Sequence, residues 1–194
     1  MANNIQNDEY WTYVPKVIPS FVFEPLLIMM KEYCVTASSS TRVSCVFNGI
    51  NNRIFDFSYG RMAIYKWNDA PIILHEICET VKLYTQTEYD YVLVHIYSSG
   101  DSSIAYHSDH EAMGTTIASV SLGATRKFRL RKIGRTKGWD HEILLNDGDL
   151  IIMHGPVGEK PSCQKIYQHS VPVEKKVKGP RINLTFRQYD TLLE

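Results

Sequence analysis

The sequence lacks the features that direct a chain to a membrane or to secretion. None of its apolar runs approaches the ~20 residues that a transmembrane helix needs. The first eight residues are polar and lack the basic-then-apolar order of a signal peptide. These absences predict an intracellular protein, nuclear or cytoplasmic, with no membrane partner.

Cysteine is sparse, and its spacing argues against common zinc sites. The four cysteines are far apart and form no C-x-x-C pair, which speaks against a zinc ribbon: Cys34, Cys45, Cys78 and Cys163. They are expected to be reduced, mostly buried thiols. The chain also has no H-E-x-x-H segment, so a zincin-type protease is excluded on spacing.

An excess of charge of either sign is also absent, since 21 basic residues balance 21 acidic ones. The distribution is uneven: residues 121–187 contain 14 Lys or Arg and 6 Asp or Glu, a net of +8 that the remainder offsets. This asymmetry favours a basic face for a polyanion such as nucleic acid, the alternative being an unevenly charged solvated surface. The candidate phosphate contacts are Arg126, Lys127, Arg129, Arg131, Lys132, Arg135, Lys137, Lys175, Lys176 and Lys178.

The apolar pattern predicts two helices, at 21–34 and 72–84, followed by about eight short strands. Strands are also expected at 43–47, 53–57 and 62–67, and those of the second half at 91–97, 104–109, 115–122, 128–131, 143–145, 150–153, 167–171 and 182–186. There is no βαβ alternation and no internal repeat. The pattern therefore predicts a mainly β protein with N-terminal helices and a double-stranded β-helix (jelly roll) core. Residues 1–88 form an extension of the same domain, and residues 89–194 form the core.

The segment His107-Ser108-Asp109 contains the first candidate site. Residues i and i+2 of a strand point to the same face, so this imidazole and this carboxylate can bind one metal ion. Together they make two thirds of the 2-His-1-carboxylate triad of non-haem Fe(II) oxygenases. A jelly roll brings strand ends together, and the downstream candidates for the third ligand are His141, His154 and His169.

The strand at 181–187 has a polar face and an apolar face. Arg181, Asn183, Thr185 and Arg187 alternate with Ile, Leu and Phe. A polar stripe directed inward is costly unless it meets a ligand, and guanidinium groups suit planar carboxylates such as those of 2-oxoglutarate. The alternative is an edge strand with a solvated basic face.

Several blocks of the chain, in order, resemble the AlkB family of Fe(II)/2-oxoglutarate nucleic-acid dealkylases, most closely its eukaryotic DNA-repair branch. They cover about half of the chain and are far more specific together than any single motif. The blocks are residues 89–97, 104–111, 117–124, 148–150, 168–172 and 180–187.

The resemblance implies a ligand set and a co-substrate site. Fe(II) is bound by His107, Asp109 and His169, with open positions for 2-oxoglutarate and O₂. The distal carboxylate is held by Arg181 and Tyr97 with support from Asn183, and Arg187 is near the chelating end. His95 stands where the family has Asn, and its imidazole can still donate one hydrogen bond to a carboxylate. The alternatives are that it weakens co-substrate binding, shifts the pH dependence of that binding, approaches the iron, or is structural. His110 is a second departure, since close relatives have Asp there.

The resemblance also implies how a base is bound. A base that leaves its stack needs an aromatic surface, which the family supplies from an N-terminal lid. The matching residues are Arg53, Tyr59 with Gly60, Tyr65 and Trp67, with Tyr65 or Trp67 as the stacking ring; core packing is the alternative for both. Tyr106 and Glu111 are expected near the damaged base.

The implied function is oxidative demethylation of 1-methyladenine and 3-methylcytosine in DNA or RNA by a monomer, releasing formaldehyde, succinate and CO₂. Two other functions remain open. One is a 2-oxoglutarate oxygenase acting on a protein or small molecule, and the other is a non-catalytic nucleic-acid-binding module.

Overall fold

The computed structural model describes residues 4–34, 42–52 and 62–190. Twelve strands and three helices lie within these ranges. The strands are β1 (Gln6–Asn7), β2 (Trp11–Val14), β3 (Arg42–Asn48), β4 (Ala63–Lys66), β5 (Tyr91–Tyr97), β6 (Ile104–His107), β7 (Ile117–Gly123), β8 (Arg126–Lys132), β9 (His141–Leu145), β10 (Asp149–Met153), β11 (Tyr167–Val171) and β12 (Arg181–Arg187). The helices are α1 (Phe23–Tyr33), α2 (Ile72–Thr85) and α3 (Cys163–Ile166).

Two sheets make up the β structure. The major sheet has the order β1-β2-β10-β7-β12-β5-β3-β4, and the minor sheet has the order β6-β11-β8-β9. Nearly all neighbours are antiparallel, and β3 with β4 is the parallel pair among the described strands. The jelly roll predicted from the strand pattern is confirmed. The segment before residue 89 contributes strands to both edges of the major sheet, β1 and β2 at one and β3 and β4 at the other.

The two long helices cover one face of the major sheet. Pro25 lies in the first turn of α1, where its missing N–H costs nothing, and Leu26, Leu27 and Met30 turn inward. Gln86 caps the C-terminal end of the second helix in the left-handed conformation, with a φ of 51°. Neither helix, nor any other among the described residues, has the length and apolar character needed to span a bilayer.

Alternation along β12 separates two cores. Ile182, Leu184 and Phe186 pack with α1 and α2 in the larger apolar cluster. The intervening polar positions face the minor sheet, where a second cluster contains Phe128, Leu130 and Ile151. The site therefore lies between the sheets. An edge strand with a solvated face is ruled out for β12, because β5 and β7 pair with it on either side.

Arg126 joins two loops at one end of the jelly roll and is 1% exposed. Its guanidinium donates to the carbonyl oxygens of Ser99, Ser102 and Pro172 at 2.7–3.1 Å, and to the carboxylate of Glu174 at 3.2 Å. The expectation that Arg126 contacts phosphate is therefore wrong. Its N–H groups satisfy buried backbone carbonyls, which would otherwise lack partners.

Candidate metal centre

His107, Asp109 and His169 come together at the open end of the minor sheet. The two histidines are direct cross-strand partners of β6 and β11, and their ring centroids are 4.2 Å apart. Oxygens of the Asp109 carboxylate lie 3.6 Å from Nε2 of each histidine. One candidate ligand atom from each residue falls within 4.8 Å of the other two. Of the three candidates for the third ligand, His169 is the one at this site.

The other two histidines have structural contacts elsewhere. Nε2 of His154 lies 3.0 Å from the hydroxyl of Thr12. The ring of His141 packs edge-on against Trp11, and its Nε2 is 3.3 Å from the Tyr167 hydroxyl. Neither belongs to the cluster of candidate ligands found among the described residues.

Both candidate histidine ligands present Nε2 to the centre. Nδ1 of His107 is 2.9 Å from the carbonyl oxygen of Ala105, so it donates there and leaves the Nε2 lone pair free. The ring of His169 stacks on Phe128 with centroids 5.5 Å apart. Burial lowers the pKa of His169 to about 4, which keeps this imidazole neutral.

Arg187 fixes the Asp109 carboxylate. Its Nη2 is 2.9 Å from Oδ1 of Asp109, and its Nη1 donates to the carboxylate of Glu111. Burial opposes the charge on Asp109, but the guanidinium of Arg187 holds the pKa of this carboxyl well below its usual range. The candidate metal centre therefore contains an ionised carboxylate. Glu111 is joined to it through Arg187, and its expected position near the damaged base stays a prediction.

A cavity extends from the two histidines between the sheets. Its polar lining comes from β5 and β12 and its apolar lining largely from the minor sheet; among the lining residues are His95, Tyr97, Asn183, Arg187, Phe128 and Val171. Arg181 lies at the Tyr97 end, with its guanidinium carbon 5.0 Å from the centroid of the Tyr97 ring. The polar face predicted for the last strand thus borders the cavity that leads to the metal centre.

Sequence reasoning missed Gln164, which is 1% exposed. Its Oε1 accepts the backbone N–H of Asp109 at 3.0 Å, and its Nε2 is 3.1 Å from the sulfur of Met153. Gln164 therefore holds the backbone at the carboxylate ligand position. No sequence signal identifies it, because it lies in a short helix 55 residues away.

Comparison with known proteins bears on this site directly. A family model described as the 2OG-Fe(II) oxygenase superfamily matches residues 38–187, which include every candidate metal and co-substrate residue. The chain belongs to this superfamily. Its cofactors are accordingly Fe(II), 2-oxoglutarate and O₂.

The chain is also similar to curated AlkB-like proteins. The DNA oxidative demethylase ALKBH2 of Bos taurus is 37% identical over 125 residues, which are 60% of this chain and 43% of the bovine protein. The Arabidopsis thaliana protein of the same name is 28% identical over 211 residues, covering 94% of this chain and 62% of its own. The chain spans about half the length of the animal relatives it matches. A solved structure, that of OsALKBH1, shares the fold with a TM-score of 0.67 at 15% identity, covering 96% of this chain and all of its own.

The residues at the centre fit Fe(II). Two imidazole nitrogens and one carboxylate are the donor set of the facial triad that non-haem oxygenases use. Oδ2 of Asp109 is buried and has no hydrogen-bond donor among the described residues. An ion would satisfy this oxygen and the two Nε2 lone pairs.

Arg181 fits the distal carboxylate of 2-oxoglutarate. It is 1% exposed, and its Nη2 donates to the hydroxyl of Ser121 at 2.8 Å. Its Nε and Nη1 are buried without a hydrogen-bond acceptor among the described residues. Burial lowers the pKa of Arg181. A desolvated guanidinium with two N–H groups that lack acceptors is energetically unfavourable by itself. A bound carboxylate would supply those acceptors.

The two aromatic residues expected to stack on a base both contact the core. Trp67 is 8% exposed, lies in a 3₁₀ turn and packs on His75 with ring centroids 4.3 Å apart. Tyr65 stacks on Phe47, and its hydroxyl donates to the carbonyl of Tyr33 at 2.9 Å. For Trp67 the prediction of base stacking is corrected on this ground, because the ring is buried. Tyr65 is half-buried and packs against the core through its contact with Phe47, and its role at a base stays a prediction.

Tyr106 also differs from its expected position. It neighbours His107 in β6, so its side chain points to the opposite face of the minor sheet. There the guanidinium carbon of Arg131 lies 3.8 Å from its ring centroid. Tyr106 therefore does not line the cavity. Arg53, Tyr59 and Gly60, the remaining lid candidates, lie outside the described residues.

Substitution of Trp67 by alanine tests its placement. Removing a buried tryptophan should lower the free energy of unfolding by about 3–5 kcal/mol, because it leaves a cavity in the core. Trp139→Ala is the matched control: Trp139 is 43% exposed under Arg129, and losing that contact should cost about 0.5–1 kcal/mol. Chemical denaturation measures both, and equal effects would contradict the core position.

Proposed function

We propose that the chain oxidatively removes N-methyl groups from 1-methyladenine and 3-methylcytosine in DNA or RNA, releasing formaldehyde, succinate and CO₂. The observation that carries this proposal is a His-Asp-His cluster beside a cavity whose lining includes Tyr97, with the buried Arg181 packed against that tyrosine. Two nitrogens of Arg181 have no acceptor among the described residues. The substrate class is supported by relatives named DNA oxidative demethylases, such as ALKBH2 of Bos taurus.

Each residue has a role in this proposal. His107, Asp109 and His169 hold Fe(II), while Arg181 and Tyr97 bind the distal carboxylate of 2-oxoglutarate. When bound, iron, 2-oxoglutarate and O₂ would together oxidise the N-methyl group to a hydroxymethyl group, which is then released as formaldehyde. Arg187 keeps Asp109 ionised and oriented, since it donates to that carboxylate at 2.9 Å.

The apolar wall supports the same chemistry by excluding water. Ile104, Phe128 and Val171 border the cavity on the side of the minor sheet. A dry wall strengthens the interactions of the buried charges with an anionic co-substrate. It also limits loss of oxidising equivalents to solvent.

A turnover panel tests the proposed function. The Fe(II)-loaded protein is given 2-oxoglutarate and oligonucleotides containing 1-methyladenine, 3-methylcytosine or N6-methyladenine, in single- and double-stranded DNA and RNA. Formaldehyde release that requires iron and is greatest for the first two bases is expected. Absence of iron-dependent turnover on every methylated oligonucleotide would refute the proposal.

An oxygenase acting on a protein or small molecule is the second candidate, and the structure gives it one supporting observation. Several members of the predicted basic face are neutralised internally: Arg129 and Lys127 both pair with Glu142, and Arg135 pairs with Asp140. Fewer basic side chains are therefore free to contact phosphates than the number of Lys and Arg residues suggests. A non-catalytic module, the third function, predicts no decarboxylation of 2-oxoglutarate, so succinate formation would exclude it.

Salt dependence of oligonucleotide binding separates the first two candidates. Lys132, Lys137, Lys175, Lys176 and Lys178 are exposed and have no ion pair with a described acid. If Lys175 and Lys176 contact phosphates, replacing both with glutamine should reduce the slope of log affinity against log salt by about 2. Lys165→Gln, a single exposed lysine outside this set, is the control. Affinity independent of salt would favour the second candidate.

We also propose that the protein is a monomer and that it is located in the nucleus or cytoplasm. All candidate metal and co-substrate residues come from one chain, so a single copy completes the site. Light scattering of the active protein checks this, since activity confined to a dimer would contradict it.

A further inference from the structure

Ser44 and His95 form a close pair beside the cavity. They are direct cross-strand partners of β3 and β5, and the Ser44 hydroxyl oxygen is 2.5 Å from Nδ1 of His95. Asn183 of β12 stands opposite His95 on its other side. A polar row therefore crosses three neighbouring strands at the middle of the cavity.

His95 is a neutral residue in the lining of the cavity. Burial, then the charges of Arg42 and Arg187, hold the pKa of His95 well below its usual range. A neutral imidazole carries one N–H, on either Nδ1 or Nε2. His95 lines the cavity, and Nε2 has no hydrogen-bond partner among the described residues.

The co-substrate dictates which tautomer is useful. The two carboxylates and the keto group of 2-oxoglutarate accept hydrogen bonds and donate none. A histidine with its proton on Nδ1 would present a lone pair to these oxygens, whereas the tautomer protonated on Nε2 would donate to them. The hydroxyl of Ser44 can meet either tautomer, because it can accept from a protonated Nδ1 or donate to an unprotonated one. Donation by Ser44 is the case that leaves the proton on Nε2, where it can reach the co-substrate.

Asn183 cannot provide this donor from the next strand. Its Nδ2 already donates to the hydroxyl of Ser119 at 2.8 Å and to the carbonyl of Val120 at 2.9 Å. Its Oδ1 accepts from the hydroxyl of Thr185 at 3.3 Å. In this row of the cavity, the donor to an anion must therefore come from His95.

We propose that Ser44 is a positioning residue for co-substrate binding: its hydroxyl donates to Nδ1 of His95 and thereby fixes the tautomer whose Nε2–H donates to bound 2-oxoglutarate. This inference rests on the assignment of the cavity to 2-oxoglutarate and not on the nucleic-acid substrate. Failure of dealkylation would leave it intact, since both of its tests measure the co-substrate complex alone.

The first test observes the tautomer. Long-range ¹⁵N–¹H correlation spectra of protein labelled in its histidine rings, with Zn(II) in place of iron and saturating 2-oxoglutarate, report the protonation of each nitrogen. His95→Asn identifies the His95 signals by their loss. We expect an unprotonated Nδ1 and a protonated Nε2; a protonated Nδ1 in the complex would overturn the proposal.

The second test is a double-mutant cycle on 2-oxoglutarate affinity, measured by anaerobic calorimetry with Mn(II). Ser44→Ala should weaken binding about five- to tenfold, the worth of one ordered hydrogen bond in a buried site. Ser44→Thr retains the hydroxyl and should bind within about twofold of wild type.

The cycle is completed by His95→Asn, whose amide donor needs no tautomer. In that background Ser44→Ala should have no effect on affinity, because the hydroxyl acts only through the imidazole. An equal loss in both backgrounds would show a general packing role for Ser44 and overturn the proposal. Unchanged affinity in Ser44→Ala alone would overturn it as well.

Discussion

Replacing Asp109 with asparagine should reduce iron-dependent turnover by more than about 100-fold, since changes to groups that merely support a metal ligand already cost about 10–100-fold. The amide removes the anionic ligand of the proposed centre. It also removes the partner of Arg187, whose Nη2 lies 2.9 Å from the carboxylate. Formaldehyde release and anaerobic Fe(II) titration measure the two consequences separately.

Asp101→Asn is the matched control for this prediction, because Asp101 is an exposed acid in the turn before β6. It should leave turnover and iron affinity unchanged. Loss of the buried Asp109–Arg187 pair also destabilises the fold, although Glu111 still pairs with Arg187. Circular dichroism must therefore show a folded variant. A folded Asp109→Asn protein with more than about a tenth of wild-type turnover would contradict the proposed ligand set.

The metal centre could be predicted because its signals are local. His107 and Asp109 are two residues apart, and Arg181 and Arg187 share one face of a strand with a period of two. Strand periodicity placed Arg181 and Arg187 on one face of β12. For the first pair the strand was predicted too long, because β6 ends at His107, but the backbone at Asp109 is still extended. The third ligand required a choice among three downstream histidines, and the resemblance to the AlkB family pointed to the one that the structure brings to the centre.

The roles of the aromatic residues could not be predicted from local sequence. The sequence around Tyr65 and Trp67 is compatible both with stacking on a base and with packing in the core. Their partners bear on this choice: Phe47 and Tyr33 for Tyr65, and His75 for Trp67. No periodic pattern reports such contacts.

The count of basic residues overestimated the number of candidate phosphate contacts for a related reason. The excess of basic residues in the second half was real, but Arg126 is buried under backbone carbonyls and Arg129 pairs with Glu142 across two strands. Both pairings depend on strand register and loop conformation. Ser44, which contacts His95 from another strand, was missed in the same way, since the separation between such partners has no fixed value.

Replacing Arg181 with methionine should have opposite effects on co-substrate affinity and on the stability of the protein without co-substrate. Removing one partner of a buried charge pair costs about 2–5 kcal/mol, so 2-oxoglutarate should bind at least about 30-fold more weakly. Without co-substrate, two nitrogens of Arg181 are buried and have no acceptor among the residues that the structure describes. An apolar side chain of similar length should then leave the free energy of unfolding unchanged, or raise it by about 1 kcal/mol.

Measuring the free energy of unfolding with and without 2-oxoglutarate reports both effects in one experiment. At a concentration 100 times its dissociation constant, the co-substrate should stabilise wild type by about 2.7 kcal/mol, and the Arg181→Met protein should lose most of that gain. Arg129→Met is the control, because Arg129 is paired with Glu142 and Trp139 away from the cavity and its loss should leave the gain intact. If Arg181→Met destabilised the protein equally with and without 2-oxoglutarate, Arg181 would be a structural arginine like Arg126. The distal carboxylate would then need another partner.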